Sequence, residues 1–251
     1  MTIVSWNLKI DNIDQIKSLS EVLALNPDVI CLQEATQETI ATIRTEWRDW
    51  DIFECLDCHR SLRSGVIQTA FLCILTKHDI EAHESYKIHC DPVKSLLARR
   101  LGIKEAREFQ FIDVKVNNTK YRIFNVHLEV ASGSIRRQAE FAEVLSNFDE
   151  ARANLVCGDF NIFTRPILNL ITGWAFGFSL REYLVNERRV FTKLFAKSQL
   201  TNVFKRRVTY PRFRLQLDHI LVPVTIKYEN HFVARKTFGS DHKFLSLKIL
   251  N

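Results

Sequence analysis

The sequence predicts an α+β fold in which a mixed sheet, or two sheets, is covered by helices. Three observations lead there. Helical and strand-like patterns interleave along the chain, several strand-like runs are joined by short turns, and 46% hydrophobic content over 251 residues can bury a full core. The short turns argue against a purely parallel barrel, whose strands need long crossovers. With 7 Gly and 5 Pro, and no Ser/Gly/Pro-rich linker, repeat or low-complexity tract, residues 1–251 are expected to form a single domain.

The first strand is the apolar run that ends in Trp6-Asn7. Residues 13 to 25 carry Ile13, Ile16, Leu19 and Leu23 at helical spacing, and Asn26-Pro27 stops that helix before a strand at 28 to 33. Residues 36 to 47 read as a second helix with Thr36 as its cap. Strands are expected at 66 to 75, 80 to 88, 108 to 116 and 120 to 127, the last two joined by a turn at Asn117-Asn118. A helix at about 135 to 149 follows, then a strand at 154 to 158 and helices within 164 to 196. Strands near 217 to 222, 225 to 233 and 243 to 249 close the chain.

Polar residues recur where these apolar runs end, which is where a rigid scaffold can aim them. Trp6-Asn7, Gln33-Glu34, His127, Gly158-Asp159-Phe160-Asn161, Asp218-His219 and Ser240-Asp241-His242 all lie at such ends. A lone Asn7 or Asp218 would most simply cap a turn, and a lone His127 would be a satisfied core histidine. Six such segments in one chain point instead to a site assembled from distant sequence. His59, His78, His83, His89, His219 and His231 have no comparable setting and read as structural.

Composition limits the alternatives. The longest apolar stretch, residues 166 to 180, is broken by Asn169, Thr172 and Ser179 and is too short to span a bilayer. With no signal peptide before the first strand, a cytoplasmic monomer is the expectation. Cys31, Cys73 and Cys157 sit inside apolar runs as small core residues. Cys55-Leu56-Asp57-Cys58-His59 matches the haem-attachment pattern, but Met1 is the chain's one methionine, and zinc would need a second pair of ligands. The charge is +6, and Lys205, Arg206, Arg207, Arg212 and Arg214 crowd together with Tyr210 and Phe213 just before Asp218. That run suits a polyanion such as nucleic acid, although basic runs are more often solvated faces. Arg99-Arg100 and Arg136-Arg137 form smaller basic clusters.

Ser5-Trp6-Asn7, Leu32-Gln33-Glu34, Asn125-Val126-His127-Leu128-Glu129, Gly158-Asp159-Phe160-Asn161, Leu217-Asp218-His219-Ile220 and Ser240-Asp241-His242, in this order, resemble the endonuclease/exonuclease/phosphatase superfamily. The resemblance implies a deoxyribonuclease I-like four-layer α/β/β/α sandwich, two packed mixed sheets with helices outside, and a divalent metal at one edge. It implies Mg2+, with Mn2+ as a substitute, held by Glu34 with Asn7 and Asp241. Oxygen donors suit such a hard cation. It also implies that Asp159 aligns or deprotonates water, Asn161 and His127 bind phosphoryl oxygens, and Asp218 pairs with His242. Arg206, Arg207, Arg212 and Arg214 are the candidate substrate-binding residues. Lys9 stands where apurinic endonucleases have an aspartate, and Tyr86 has no secure place as their phosphate-contacting tyrosine. The expected activity is metal-dependent phosphodiester hydrolysis, with nucleic acid as the favoured substrate. A lipid or small phosphodiester is the alternative, in which an exposed loop with Trp174, Phe176 and Phe178 touches a membrane surface. A silent binding protein on the same scaffold is the third.

Overall fold

The computed structural model describes residues 1–61, 65–89, 95–104, 107–163 and 166–250. Its helices are α1 (Gln15–Leu23), α2 (Gln37–Glu46), α3 (Leu96–Leu101), α4 (Ser134–Leu145), α5 (Pro166–Phe176) and α6 (Glu187–Lys197). One sheet runs β12 (Tyr228–Val233), β13 (Leu245–Ile249), β1 (Thr2–Asn7), β2 (Val29–Thr36), β4 (Ile67–Thr76), β3 (Asp51–Ser61) and β6 (Ile103–Lys104). The other runs β10 (Leu200–Asn202), β11 (Asp218–Pro223), β9 (Ala153–Asp159), β8 (Thr119–His127), β7 (Glu108–Val116) and β5 (Ile80–Lys87). Each sheet is mixed. The β1–β2 and β8–β9 pairs are parallel, and the other neighbours are antiparallel.

Alternation along the buried strands explains the layers. Successive side chains point to opposite faces, so Ile3, Val29 and Cys31 enter the space between the sheets, where they meet Ile123, Leu155 and Cys157. Their neighbours Val4, Trp6, Ile30 and Leu32 face outward and pack on Leu19 and Val22 of α1 and Ile40 and Ile43 of α2. On the far side, Phe124, Val126, Val156 and Leu221 pack on Phe141 of α4 and Phe191 and Phe195 of α6. Strands that are apolar on both faces, with three separate apolar layers between and outside them, give the α/β/β/α sandwich that the sequence predicts.

Caps and turns follow the local chemistry. Thr36 caps α2 by accepting the Thr39 N–H, and Asp14 caps α1 by accepting the Lys17 N–H. Asn117, at φ +53°, turns β7 into β8. Gly158 lies within β9 at φ +145°, and a Cβ there would stand 1.9 Å from the Val126 carbonyl oxygen of the adjoining β8. Gly158→Ala is therefore expected to destabilise the protein by about 1–3 kcal/mol, read as a lower urea midpoint; an unchanged midpoint would sink this account.

Three parts of the sequence reading need correction. β3, absent from the predicted elements, contains Cys55, Asp57 and Cys58, and its two cysteines are buried free thiols. The apolar segment after residue 166 is helix α5, as the helical reading of residues 164 to 196 expects and unlike the exposed loop of the lipid alternative, and residues 164 and 165 lie outside the described residues. The Arg136-Arg137 pair is not a free basic patch. Arg137 is fully buried against Glu187 of α6 at 2.7 Å, and Arg136 pairs with Glu140 at 2.9 Å.

Candidate active site at the edge of the two sheets

Strand direction brings the polar ends together. Parallel pairing sets His127 beside Asp159 at the ends of β8 and β9, and antiparallel β11 begins there with Asp218 opposite Asp159. In the other sheet, Asn7 ends β1 beside Gln33 of β2. The turn before β13 carries Asp241 and His242 to the same edge. Ser240 fixes that turn, donating its hydroxyl to the Asn7 carbonyl (2.7 Å) and accepting the His242 N–H (2.9 Å).

Two bulges aim the carboxylates that a regular strand would misplace. The β2–β4 register shifts between Leu32 and Ala35, and Glu34 adopts a left-handed φ of +56°. Its backbone is held there by Gln15, whose amide donates to the Glu34 carbonyl at 2.9 Å and whose oxygen accepts the Thr36 N–H at 3.0 Å. The β3–β4 register shifts between Leu56 and Cys58, leaving Asp57 as the extra residue and turning its side chain inward, 1% exposed. Asp57 then accepts from His127 Nδ1 at 2.8 Å, while Arg107 reaches its other oxygen at 3.5 Å.

Asp159 occupies the middle of the cluster. Its Oδ2 lies 3.7 Å from His127 Nε2 and 3.7 Å from His242 Nε2, and it accepts from Asn7 Nδ2 at 3.1 Å. Its Oδ1 accepts the Asn161 N–H at 2.9 Å. His242 Nδ1 meets Asp218 Oδ2 at 2.8 Å, so each histidine has its own carboxylate behind it and shares Asp159 in front. Thr209 supports this arrangement by accepting the Leu217 and Asp218 N–H groups at 2.9 and 3.1 Å.

Burial alone would lower the pKa of His242, but the Asp218 and Asp159 carboxylates outweigh it and raise the value to about 10. For His127 burial is likewise outweighed by Asp57, giving about 9. Burial raises the carboxyl of Asp159, Asp218 adds to that, and the two imidazolium charges offset part of it. Both histidines bind protons more tightly folded than at their ordinary value of 6.5, so their stabilisation is complete below about pH 6.5. It is lost as pH rises through 9 and 10. The urea midpoint is expected to fall across that range, and His242→Asn should flatten the slope; a midpoint indifferent to alkaline pH would contradict the charged pairs.

Glu34 and Asp241 form the more open side of the cluster. Asp241 is 39% exposed at its side chain, and burial followed by the neighbouring Glu34 charge raises its pKa. Two neighbouring carboxylates, one of them partly open to solvent, suit a divalent cation. A second set, Asp159, Asp218 and His242, has ligand atoms within 4.8 Å of one another, and in it His242 Nδ1 is already bonded to Asp218 at 2.8 Å. Asn7 gives its amide N–H groups to Glu34 (3.0 Å) and Asp159 (3.1 Å), while its oxygen accepts the Lys9 N–H (2.9 Å). It therefore clamps the two carboxylates together. Asn161, at φ +51°, gives its side-chain amide to the Leu128 carbonyl at 2.9 Å.

The basic run divides. Arg212 lies 5.6 Å over the ring of half-exposed Phe213, which tilts against Tyr210, whose own ring lies 5.0 Å from that of His242. Arg207 and Arg214 are exposed on the same run, whereas Arg206 lines a cavity beside His219, on the other face of β11. Tyr86 lies on edge strand β5, stacked on Phe109 and bonded to Glu84, three strands from β9. Sequence reasoning missed Asp57, Arg107, Gln15 and Thr209. The one available signal was an aspartate inside the Cys55–His59 run, and the bulge that turns it inward leaves no periodic trace.

The sequence matches the family model described as Endonuclease/Exonuclease/phosphatase family over residues 4–242. A search of curated proteins finds no match. Among solved structures, an endonuclease/exonuclease/phosphatase family protein from Leptotrichia buccalis is similar at TM-score 0.71 and 14% identity, covering 100% of both chains. The D. rerio TDP2 complexed with single strand DNA product is similar at TM-score 0.65 and 16% identity, covering 100% of this chain and 99% of that one. TDP2 from Caenorhabditis elegans gives 0.64 and 15%, covering 100% and 74%. At these identities the structural likeness speaks for the fold, and the match across residues 4–242 speaks for descent: this chain belongs to the endonuclease/exonuclease/phosphatase family.

Proposed function

We propose that this protein is a divalent-metal-dependent phosphodiesterase acting on nucleic acid, and that residues 1–251 work as one catalytic domain. The observation that carries the reading is the pair of charged histidines set 3.7 Å to either side of Asp159 Oδ2, next to the Glu34–Asp241 pair. Glu34 and Asp241 would hold Mg2+, and the ion when bound supplies positive charge to the phosphoryl oxygens. Asn7 positions Glu34 and Asp159. His127 and His242, protonated at neutral pH, donate from Nε2 to phosphoryl oxygens as charge develops there. Asp159, its proton affinity raised by burial, aligns and deprotonates the attacking water, a role His242 cannot take while its own proton is held to about pH 10. Asn161 binds a phosphoryl oxygen. Tyr210, Phe213 and Arg212 offer rings and a cation to the strand beside the reacting phosphate.

Magnesium-dependent cleavage of a labelled single-stranded oligonucleotide, abolished by a chelator, is the expected result; an inert protein in both Mg2+ and Mn2+ would overturn the reading. One observation favours a lipid phosphodiester instead. Trp174, Ile171, Leu180 and Leu184 are exposed by 64, 63, 91 and 82%. Phe176 and Phe178, however, are half-buried and stack edge-to-face on Phe163 and Tyr183, which removes two of the three rings from that surface. Among the described residues no helix is long and apolar enough to cross a membrane. Hydrolysis of a phospholipid in vesicles but of no oligonucleotide would select the second reading.

A further inference from the structure

His219 follows Asp218 and so projects from the opposite face of β11, toward α6, where its ring lies edge-on to Phe160 and Phe195 at 5.0 and 5.9 Å. Its tautomer is fixed by two backbone groups. The Phe204 N–H donates to Asn202 Oδ1 (3.1 Å), which turns the Asn202 amide nitrogen to His219 Nδ1 at 3.0 Å. The Arg206 N–H donates to Gln216 Oε1 (2.9 Å), which turns the Gln216 amide nitrogen to the same atom at 3.4 Å. Nδ1 is therefore an acceptor and the proton sits on Nε2. Burial, then the Arg188 charge, lowers the pKa to about 3, so the ring is neutral. Only 3% of His219 is exposed, and among the described residues Nε2 has no hydrogen-bond partner.

His219 lines a cavity of about 20 Å³ rimmed by Arg188, Lys205 and Arg206. That volume admits one oxygen-sized group. An unpaired buried N–H costs about 1–3 kcal/mol, and three cations at the mouth favour an anionic oxygen over water. We propose that this cavity is a phosphate-binding site, in which one oxygen enters to accept from His219 Nε2–H and the remaining charge lies among Arg188, Lys205 and Arg206. The site is on the far face of β11 from the candidate active site, so it stands whether or not the protein cleaves nucleic acid.

The test uses the full chain, freed of metal by a chelator, and follows the His219 ring N–H by nitrogen-edited NMR, assigned with His219→Phe. Inorganic phosphate is expected to shift that signal saturably, and the exposed-rim variant K205S/R206S should need about tenfold more phosphate. Oligonucleotides with and without a 5′-phosphate separate the sources. A shift only with inorganic or terminal phosphate marks a phosphomonoester, a shift with both strands marks the backbone, and either outcome upholds the site. A signal unmoved by millimolar phosphate, or moved equally in the rim variant, overturns it.

Discussion

Asp159→Asn is expected to lower single-turnover cleavage by roughly 10²–10⁴-fold, the span associated with losing a positioned proton acceptor. Asparagine keeps the shape and its one oxygen can still accept the Asn161 N–H, although its amide nitrogen cannot accept from Asn7 Nδ2, so an unchanged urea midpoint alongside the loss would assign it to proton transfer rather than to collapse of the cluster. Removing the charge that lies 3.7 Å from both Nε2 atoms should also lower the pKa values of His127 and His242, visible as an acid shift in their NMR titrations. The pH–rate profile separates the two possible bases. With Asp159 as base the acid limb titrates above the ordinary carboxyl value of 3.8, and activity persists with both histidines charged. Cleavage by Asp159→Asn within a few-fold of the parent enzyme would remove Asp159 from this role.

Arg137→Met is expected to destabilise the fold by about 3–5 kcal/mol, since it strands the buried Glu187 carboxylate without its counter-charge. The two side chains meet at 2.7 Å with neither exposed. Arg137 also donates to the Glu129 carbonyl at 3.0 Å, and Glu187 accepts the Phe163 N–H at 2.8 Å, so the pair ties α4 and α6 to the segments that follow β8 and β9. The double variant R137M/E187L should recover much of the loss, because an apolar pair has no charge to desolvate. Urea denaturation of the parent, both single variants and the double variant measures this. Single-variant losses below about 1 kcal/mol, the range of an exposed ion pair, would show that water reaches the pair.

Much of this was legible in the sequence, for identifiable reasons. The runs holding Val4, Ile30, Ile123 and Val156 are apolar on both faces, so strands and layers could be read from them, and the polar groups that end these runs were visible as interruptions. Asp57 was not legible, because its inward aim depends on a one-residue shift against β4 that local pattern does not encode. Glu34 was found by motif, yet nothing in its neighbourhood announces a left-handed φ held by Gln15. Arg137 looked like one more surface cation, and only the packing of α4 on α6 shows otherwise. Arg206 and Arg212 sit six places apart in one basic run, yet the chain turns between them and gives each a different side of β11.

Each histidine–aspartate pair joins opposite sheets. His127 ends β8 of one sheet and bonds to Asp57 of β3 in the other, while His242, anchored to β1 by the Trp6 indole at 3.0 Å, bonds to Asp218 of β11 across the gap. The sheets cannot part at this edge without breaking both charged contacts, so the groups that would do the chemistry also fasten the sandwich shut. Any activity at this edge and the closure of the two sheets are therefore expected to be lost together.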